Sequence, residues 1–428
     1  RRNITPTEYM WMSGYASRDK PADSKLTDLW AKALVLEDPA GRRVALVTLD
    51  LVGIDRETSQ RIRDRVQESF GLERSQIALN CSHTHTGPVV GHNLSSMYAF
   101  DEEQAALVKS YTSKLEEDVT AAVGEAIESL APRQVAFNSG QATFAVNRRN
   151  NTEAEVPQIR AAGRLRGPVD YEVPVLSVRD EDGKLLAVAF GYACHATCLS
   201  SFQWSGDYPG FAQLALEERH PEAIALFWAG CGADQNPIPR RTVELAEQYG
   251  QQLADAVDRA LSAVATPLNG NLGASYAELP LAFDKLPSRE QLAREAESSD
   301  RYVASRAKHL LSQIDSGEPL SQTYPYPVQV WQLGPQLRWV TLGGEVVIDY
   351  ALRLKHELGP DTWVAGYTND VMAYIPSRRV LTEGGYEGGG AMVYYGLPTV
   401  WSPEVEESIV RQVTETAKDA AEQSSAPQ

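Results

Sequence analysis

Two histidines one residue apart stand in the run Asn80-Cys81-Ser82-His83-Thr84-His85-Thr86-Gly87-Pro88, between a strand-like apolar stretch and a Gly-Pro turn. On an extended backbone residues i and i+2 face the same side, about 6 to 7 Å apart, so His83 and His85 are expected to point into one space at the end of the strand. Imidazole there could bind a metal or transfer a proton near neutral pH. The pair by itself equally fits two hydrogen-bonded histidines at a strand edge. His195, in Tyr192-Ala193-Cys194-His195-Ala196-Thr197-Cys198, ends another strand pattern among small residues and reads as either a core histidine or a ligand. Cys81, Cys194 and Cys198 flank these histidines and raise a mixed Cys/His zinc site. None of the four cysteines, Cys231 included, has C-x-x-C spacing, so they read better as free, small and mostly buried. Three polar segments with glycine complete the set: residues 205–210, 230–237 and 343–345. Each lies at the end of a regular element, where function tends to sit and glycine lets a backbone approach a ligand; ordinary turn chemistry is the competing reading.

The elements that must position these residues follow from periodicity. Apolar β-prone runs at 29–36 and 43–51 enclose a turn with Asp38, Pro39 and Gly41, which predicts a hairpin. A surface helix is expected over 56–70, a short strand over 76–81, and a long amphipathic helix over 101–130, where Val108, Leu115, Val119 and Val123 recur at helical spacing. Strand pairs are read at 134–146 and 173–193, helices at 208–219 and 242–264, and a strand between them at 223–228. Residues 288–316 are polar, open on Ser288…Gln291 and read as an inserted helical excursion. Strands resume at 328–342, then a helix at 346–358, a strand at 363–366 and a last helix at 403–422. The alternation without a Pro/Gly/Ser-rich linker predicts an α/β fold: a single large domain over 1–422, a mixed sheet flanked by helices, and a frayed tail at 423–428.

Short motifs in fixed order carry a resemblance. Ser82-His83-Thr84-His85-Thr86-Gly87-Pro88 resembles the S/T-H-T-H-S-G-P segment of the neutral ceramidase family, zinc amidases that cleave the N-acyl bond of ceramide. Asn147-Arg148 resembles the family's N-R segment, Cys194-His195-Ala196-Thr197 its second-strand histidine, and Ser205-Gly206-Asp207 its S-G-D. Gly344-Glu345 resembles its G-E before a helix with an arginine, here Arg353. Asn369-Asp370-Val371-Met372-Ala373-Tyr374 and Gly385-Tyr386-Glu387-Gly388 resemble its N-D-x-x-x-Y and Y-E-G, with the two tyrosines 12 residues apart as the pattern requires.

The resemblance implies a neutral-ceramidase-like catalytic domain with zinc held by His83, His195, Glu345 and Tyr374, a donor set suited to that ion. It leaves His85, Arg148 and Tyr386 around the scissile group, with His85 moving protons and Arg148 and Tyr386 serving the carbonyl oxygen. Two departures are visible. Where the family reads G-D-x-S-P, this chain reads Ala233-Asp234-Gln235-Asn236-Pro237, which disfavours acyl-serine chemistry and favours metal-activated water. The family also continues into an immunoglobulin-like C-terminal domain, and the expectation is that whatever this contributes at lipid surfaces is missing here.

Composition narrows the field further. Forty basic against 57 acidic residues give a net charge of −17, which argues against a nucleic-acid partner and against docking on anionic lipid. No apolar run reaches 18 residues, so no membrane span is expected and the chain reads as soluble. It opens on Arg1 and Arg2 without methionine, which leaves secreted, periplasmic and cytoplasmic locations all open. The favoured function is a zinc-dependent amidase whose N-acyl substrate is smaller and more soluble than ceramide. An ester, lactone or sugar-linked bond on the same fold is the alternative. A binding protein that lost the chemistry is disfavoured, because all four implied ligands and three implied catalytic groups are present.

Overall fold

The computed structural model describes residues 1–98 and 100–425. Asp38 accepts from the backbone N–H groups of Ala40 and Arg42, closing the expected turn, and Trp30–Glu37 pairs antiparallel with Arg43–Leu49. The chain then crosses over through the helix Arg56–Phe70, capped by Asp55 and stopped by Gly71 in the left-handed conformation. It returns as Ile77–Cys81, parallel to Arg43–Leu49. The long helix Glu102–Glu128 is capped by Asp101 and buries the expected stripe, Val108, Leu115, Val119 and Val123.

The mixed α/β character holds, while the strands divide among several sheets rather than one. With the short N-terminal strand Arg2–Asn3, the hairpin and Ile77–Cys81 make a four-stranded sheet. A five-stranded sheet orders Ile224–Ala229, Leu185–Tyr192, Glu172–Arg179, Gln134–Gln141 and Thr266–Pro267. The third main sheet orders Leu272–Ala282, Thr323–Leu333, Leu337–Leu342 and Thr362–Ala365. Isolated bridges, Asn80 with Thr368 and Gly230 with Ala365, tie the first and second sheets to the third near the ends of their strands. A shared core seals the arrangement: Leu46 of the first sheet, Leu226 and Trp228 of the second, and Trp331, Trp339 and Trp363 of the third are buried in one cluster. Trp339 lies 5.2 Å from both Trp228 and Trp363, ring centre to ring centre.

Three features refine or add to the expectations. Residues 288–316 form two helices, Arg289–Glu295 and Arg301–Asp315, because Asp300 caps a second start within the stretch. The Ser288 hydroxyl caps Gln291 N–H as expected, but the Gln291 side chain turns forward to Glu295. The strand Leu272–Ala282 was not foreseen: Gly273, three alanines and Pro280 give it little β-propensity, and pairing with Thr323–Leu333 along its whole length supplies what local sequence does not. The last helix, Val405–Ser425, runs three residues into the tail expected to fray, where Ser424 Oγ donates to the Asn271 carbonyl. Residues 426–428 lie outside the described residues. No helix among those described is long and apolar enough to cross a membrane.

Candidate metal centre

The histidine pair sits past the strand, not on it. Ile77–Cys81 ends two residues before His83, which takes φ +62°, a left-handed conformation that a non-glycine residue holds only when its surroundings enforce it. The expected extended geometry is therefore wrong here, although both rings still converge, with His83 Nε2 3.1 Å from His85 Nε2. Thr84 and Thr86 enforce the turn by donating their hydroxyls to the Ser205 carbonyl at 2.8 and 2.7 Å. Beside Ser205, Asp207 accepts from the backbone N–H groups of Cys198, Leu199 and Tyr208, clamping the chain that leaves His195. The Ser-Gly-Asp segment thus builds the site without entering it.

Asp234 does the same for the other wall. It accepts from Asn147 Nδ2 at 2.9 Å and Ile348 N–H at 3.0 Å, and its carbonyl accepts from Arg148 N–H at 2.9 Å. The short strands Ala145–Asn147 and Gln235–Pro237 pair antiparallel, and His195 N–H donates to the Gln235 carbonyl. Glu345 and Tyr374 are brought side by side as partners in a two-residue parallel ladder. Gly344 precedes them at φ +76°, where an added Cβ would lie 2.6 Å from Ile375.

His83 Nδ1 donates to the Val52 carbonyl at 2.6 Å and His195 Nδ1 to the Gly232 carbonyl at 2.8 Å. A carbonyl only accepts, so both rings carry their proton on Nδ1 and, when neutral, turn an Nε2 lone pair inward. Glu345 Oε2 is 3.1 Å from each of those nitrogens, and Tyr374 Oη is 3.3 Å from His195 Nε2. Burial first, then the Arg148 cation, push His195 down to about 4, so its second nitrogen is bare at neutral pH. Acceptor atoms gathered this closely, and in the dark of the protein, fit a cation between them. His83, His85 and His195 form a group able to hold a metal ion. No cysteine belongs to that group; all four thiols are free and buried.

His85 differs from the other two rings. It lines an open cleft of about 580 Å³ together with Gly14, Tyr15, Arg148, Asn236, Tyr374 and Tyr386, whereas His83, His195 and Glu345 lie behind the wall. Gly14, at φ +98°, lets the ring sit there, since a Cβ would come within 2.5 Å of His85 Nδ1. Arg148 is held by three partners: Nε donates to Glu387 at 2.7 Å, Nη1 to Asn236 Oδ1 at 3.3 Å and Nη2 to Tyr374 Oη at 3.1 Å. Tyr386 is 45% exposed, its ring 5.2 Å from that of Tyr374. Arg353 does not reach the site; it bonds Glu357, Glu406 and Glu407 and joins two helices at the surface. Sequence reasoning missed Tyr395, whose hydroxyl donates to Glu345 Oε1. It lies in the run Met392–Tyr395, where no spacing signals a role.

Residues 3–231, more than half of the chain, match the family described as neutral/alkaline non-lysosomal ceramidase, N-terminal. The chain belongs to this family. The matched stretch carries His83, His85, Arg148 and His195. Among curated relatives, neutral ceramidase 1 of Arabidopsis thaliana is 24% identical over 243 residues, 56% of this chain and 31% of that protein. Neutral ceramidase of Drosophila melanogaster is 25% identical over 229 residues, 51% of this chain and 32% of the relative. The chain thus spans about a third of the length of the curated relatives it matches. The crystal structure of neutral ceramidase from Pseudomonas aeruginosa superposes with a TM-score of 0.75 at 18% identity, over 99% of this chain and 74% of that one. The ceramidase fold therefore extends past the matched residues to the part that carries Glu345, Tyr374 and Tyr386.

Proposed function

We propose that this chain is a zinc-dependent hydrolase of N-acyl bonds, with His83, His195, Glu345 and Tyr374 as the metal ligands. The observation that carries the reading is the cluster of inward-facing acceptors, the His83 and His195 Nε2 nitrogens each 3.1 Å from the carboxylate oxygen Glu345 Oε2. When bound, zinc supplies Lewis acidity and brings the pKa of a water into the neutral range. His85 reaches from the cleft to the cluster and is placed to take a proton at Nε2 and return it to the departing amine. Arg148 and Tyr386 donate to the carbonyl oxygen as charge develops on it. Asn236, where the family motif has serine, offers no hydroxyl, so water is the nucleophile of this proposal.

The lining of the cleft supports a substrate more polar than ceramide. Arg149, Asn151, Glu153, Arg240, Glu383 and Glu387 face it, and Ile238 is its one aliphatic branched residue among those described. Such a wall gains little from burying a long acyl chain.

Metal analysis and a panel of chromogenic N-acyl anilides and matching esters test the proposal. The purified chain is expected to hold about one zinc, lost in His195→Ala and Glu345→Gln; hydrolysis of short N-acyl anilides stops with a chelator and returns with zinc. Full zinc in both variants, or amide hydrolysis indifferent to chelation, refutes it. Cleavage of esters without amides moves the assignment to the ester or lactone alternative.

A further inference from the structure

Asn236 is held by one end of its amide only. Its Oδ1 accepts from Arg148 Nη1 at 3.3 Å and from Thr197 Oγ1 at 3.5 Å. Arg148 decides which end of the amide is oxygen, because the reversed amide would set its NH2 against a guanidinium that can only donate, while the Thr197 hydroxyl suits either end. The backbone is equally constrained, paired with Val146 in the antiparallel ladder and followed by Pro237. The residue is 3% exposed and yet lines the cleft. Nδ2 has no protein partner among the described residues, and it is not one of the side-chain atoms sealed from the surroundings. It is therefore a fixed donor at the wall of the cleft that Asn236 lines together with Arg148, Tyr374 and His85.

We infer that Asn236 Nδ2 binds the acyl oxygen of the substrate, with Arg148 and Thr197 as the residues that orient it; this rests on the proposed N-acyl hydrolysis. The chemistry differs from that of the serine in the family motif. A hydroxyl can donate or accept, and it can attack. An amide whose oxygen is already occupied can only donate toward the cleft, so it selects a substrate that presents an acceptor there, a carbonyl oxygen before hydrolysis and a carboxylate after it. The arrangement adds a donor beside Arg148 and Tyr386 at that oxygen, where Arg148 already commits three N–H groups to Glu387, Asn236 and Tyr374.

The decisive variant is Asn236→Asp, which keeps the shape and the oxygen facing Arg148 and Thr197 but turns the cleft-facing donor into an acceptor. Asn236→Ala removes both ends and guards against an effect of the added charge. Zinc content and thermal melting are measured with kcat and KM for a short N-acyl 4-nitroanilide, and calorimetric titration with hexanoate reads the product carboxylate. Both variants are expected to keep zinc and fold while losing roughly 10²- to 10³-fold in kcat/KM, the scale of one such donor, and to bind hexanoate at least tenfold more weakly. Asn236→Asp within threefold of the parent in both readouts overturns the inference and leaves Asn236 a mere support for Arg148. If the parent holds zinc but cleaves no amide, the proposed function falls by itself, and the hexanoate titration of the alanine variant still decides whether Nδ2 binds an acyl oxygen.

Discussion

Between His83 and His85 the division of labour depends on which surface each ring meets. His83 donates through Nδ1 to a carbonyl and faces the cluster, while His85 Nδ1 is without a protein partner among the described residues and its ring faces the cleft. His85→Ala is accordingly expected to retain zinc and lose at least 10²-fold in kcat, the usual scale for a general acid or base. Zinc lost together with activity would place His85 among the ligands. A second residue-scale effect concerns Asp370, which the mechanism does not use. Burial pushes its carboxyl up to about 7; Tyr324 donates to it, and Asp55, Arg56 and Arg63 are the charged groups around it. An unfolded aspartate titrates near its ordinary value of about 4. Between about pH 4 and 7 the folded chain thus holds a proton that the unfolded chain has released, so this group makes stability fall as pH rises through that window. Asp370→Asn, which keeps an acceptor for Tyr324, should melt at a higher temperature than the parent at pH 8 and show a flatter dependence from pH 5 to 8. Parallel melting profiles for the two proteins would show that Asp370 ionises in the folded state at no cost.

Among the elements, the two-helix excursion acquires a purpose from what it packs on. Arg301–Asp315 lies against both Ser95–Met97 and Met392–Tyr395, with Tyr302 5.0 Å from Tyr394, edge to face. The next residue, Tyr395, holds Glu345 through its hydroxyl, so an element remote from the histidines in sequence supports one of the proposed ligands. Partners of this kind orient a ligand, and their loss typically costs 10- to 100-fold in metal affinity. Tyr395→Phe is expected to weaken zinc binding by that factor in a competition with a chromogenic chelator, with little change in melting temperature of the metal-free protein. Unchanged zinc affinity would reduce the contact to packing.

Across the whole molecule, three sheets meet in one tryptophan-lined core, and the site gathers the ends of strands from all of them. Trp339 is 1% exposed and touches rings from its own sheet and from the neighbouring one. Trp339→Ala should cost about 3–5 kcal/mol in denaturant unfolding, and the midpoints for fluorescence and for zinc release should move together. A fluorescence midpoint that shifts without zinc release would mean that the metal centre survives loss of the sheet packing. The chain's −17 charge acts at the same scale, since it opposes approach to anionic bilayers and agrees with a polar cleft. Under the proposed function, dissolved N-acyl compounds are the first substrates to assay.

Local pattern made much of this legible. Helix caps and apolar spacing place Arg56–Phe70 and Glu102–Glu128 closely, and the His83-Thr84-His85 run marks where chemistry gathers, because these signals depend on neighbours within a few residues. The order of short motifs carried the resemblance that named Arg148, His195, Glu345, Tyr374 and Tyr386. Other features have no local signal. The weak strand Leu272–Ala282 exists because a long partner pairs with it, and His83 is left-handed because Ser205, more than a hundred residues away, accepts from the threonines around it. Arg353 and Glu345 share one motif, yet only Glu345 turns inward, since helix Ile348–Leu358 carries Arg353 to the surface. The inward lone pairs of His83 and His195 depend on carbonyls at Val52 and Gly232, and the free donor of Asn236 depends on Arg148 and Thr197. Hydrogen bonds that decide which atom faces a cleft are set by groups distant in the chain, so only packing the sheets together makes them.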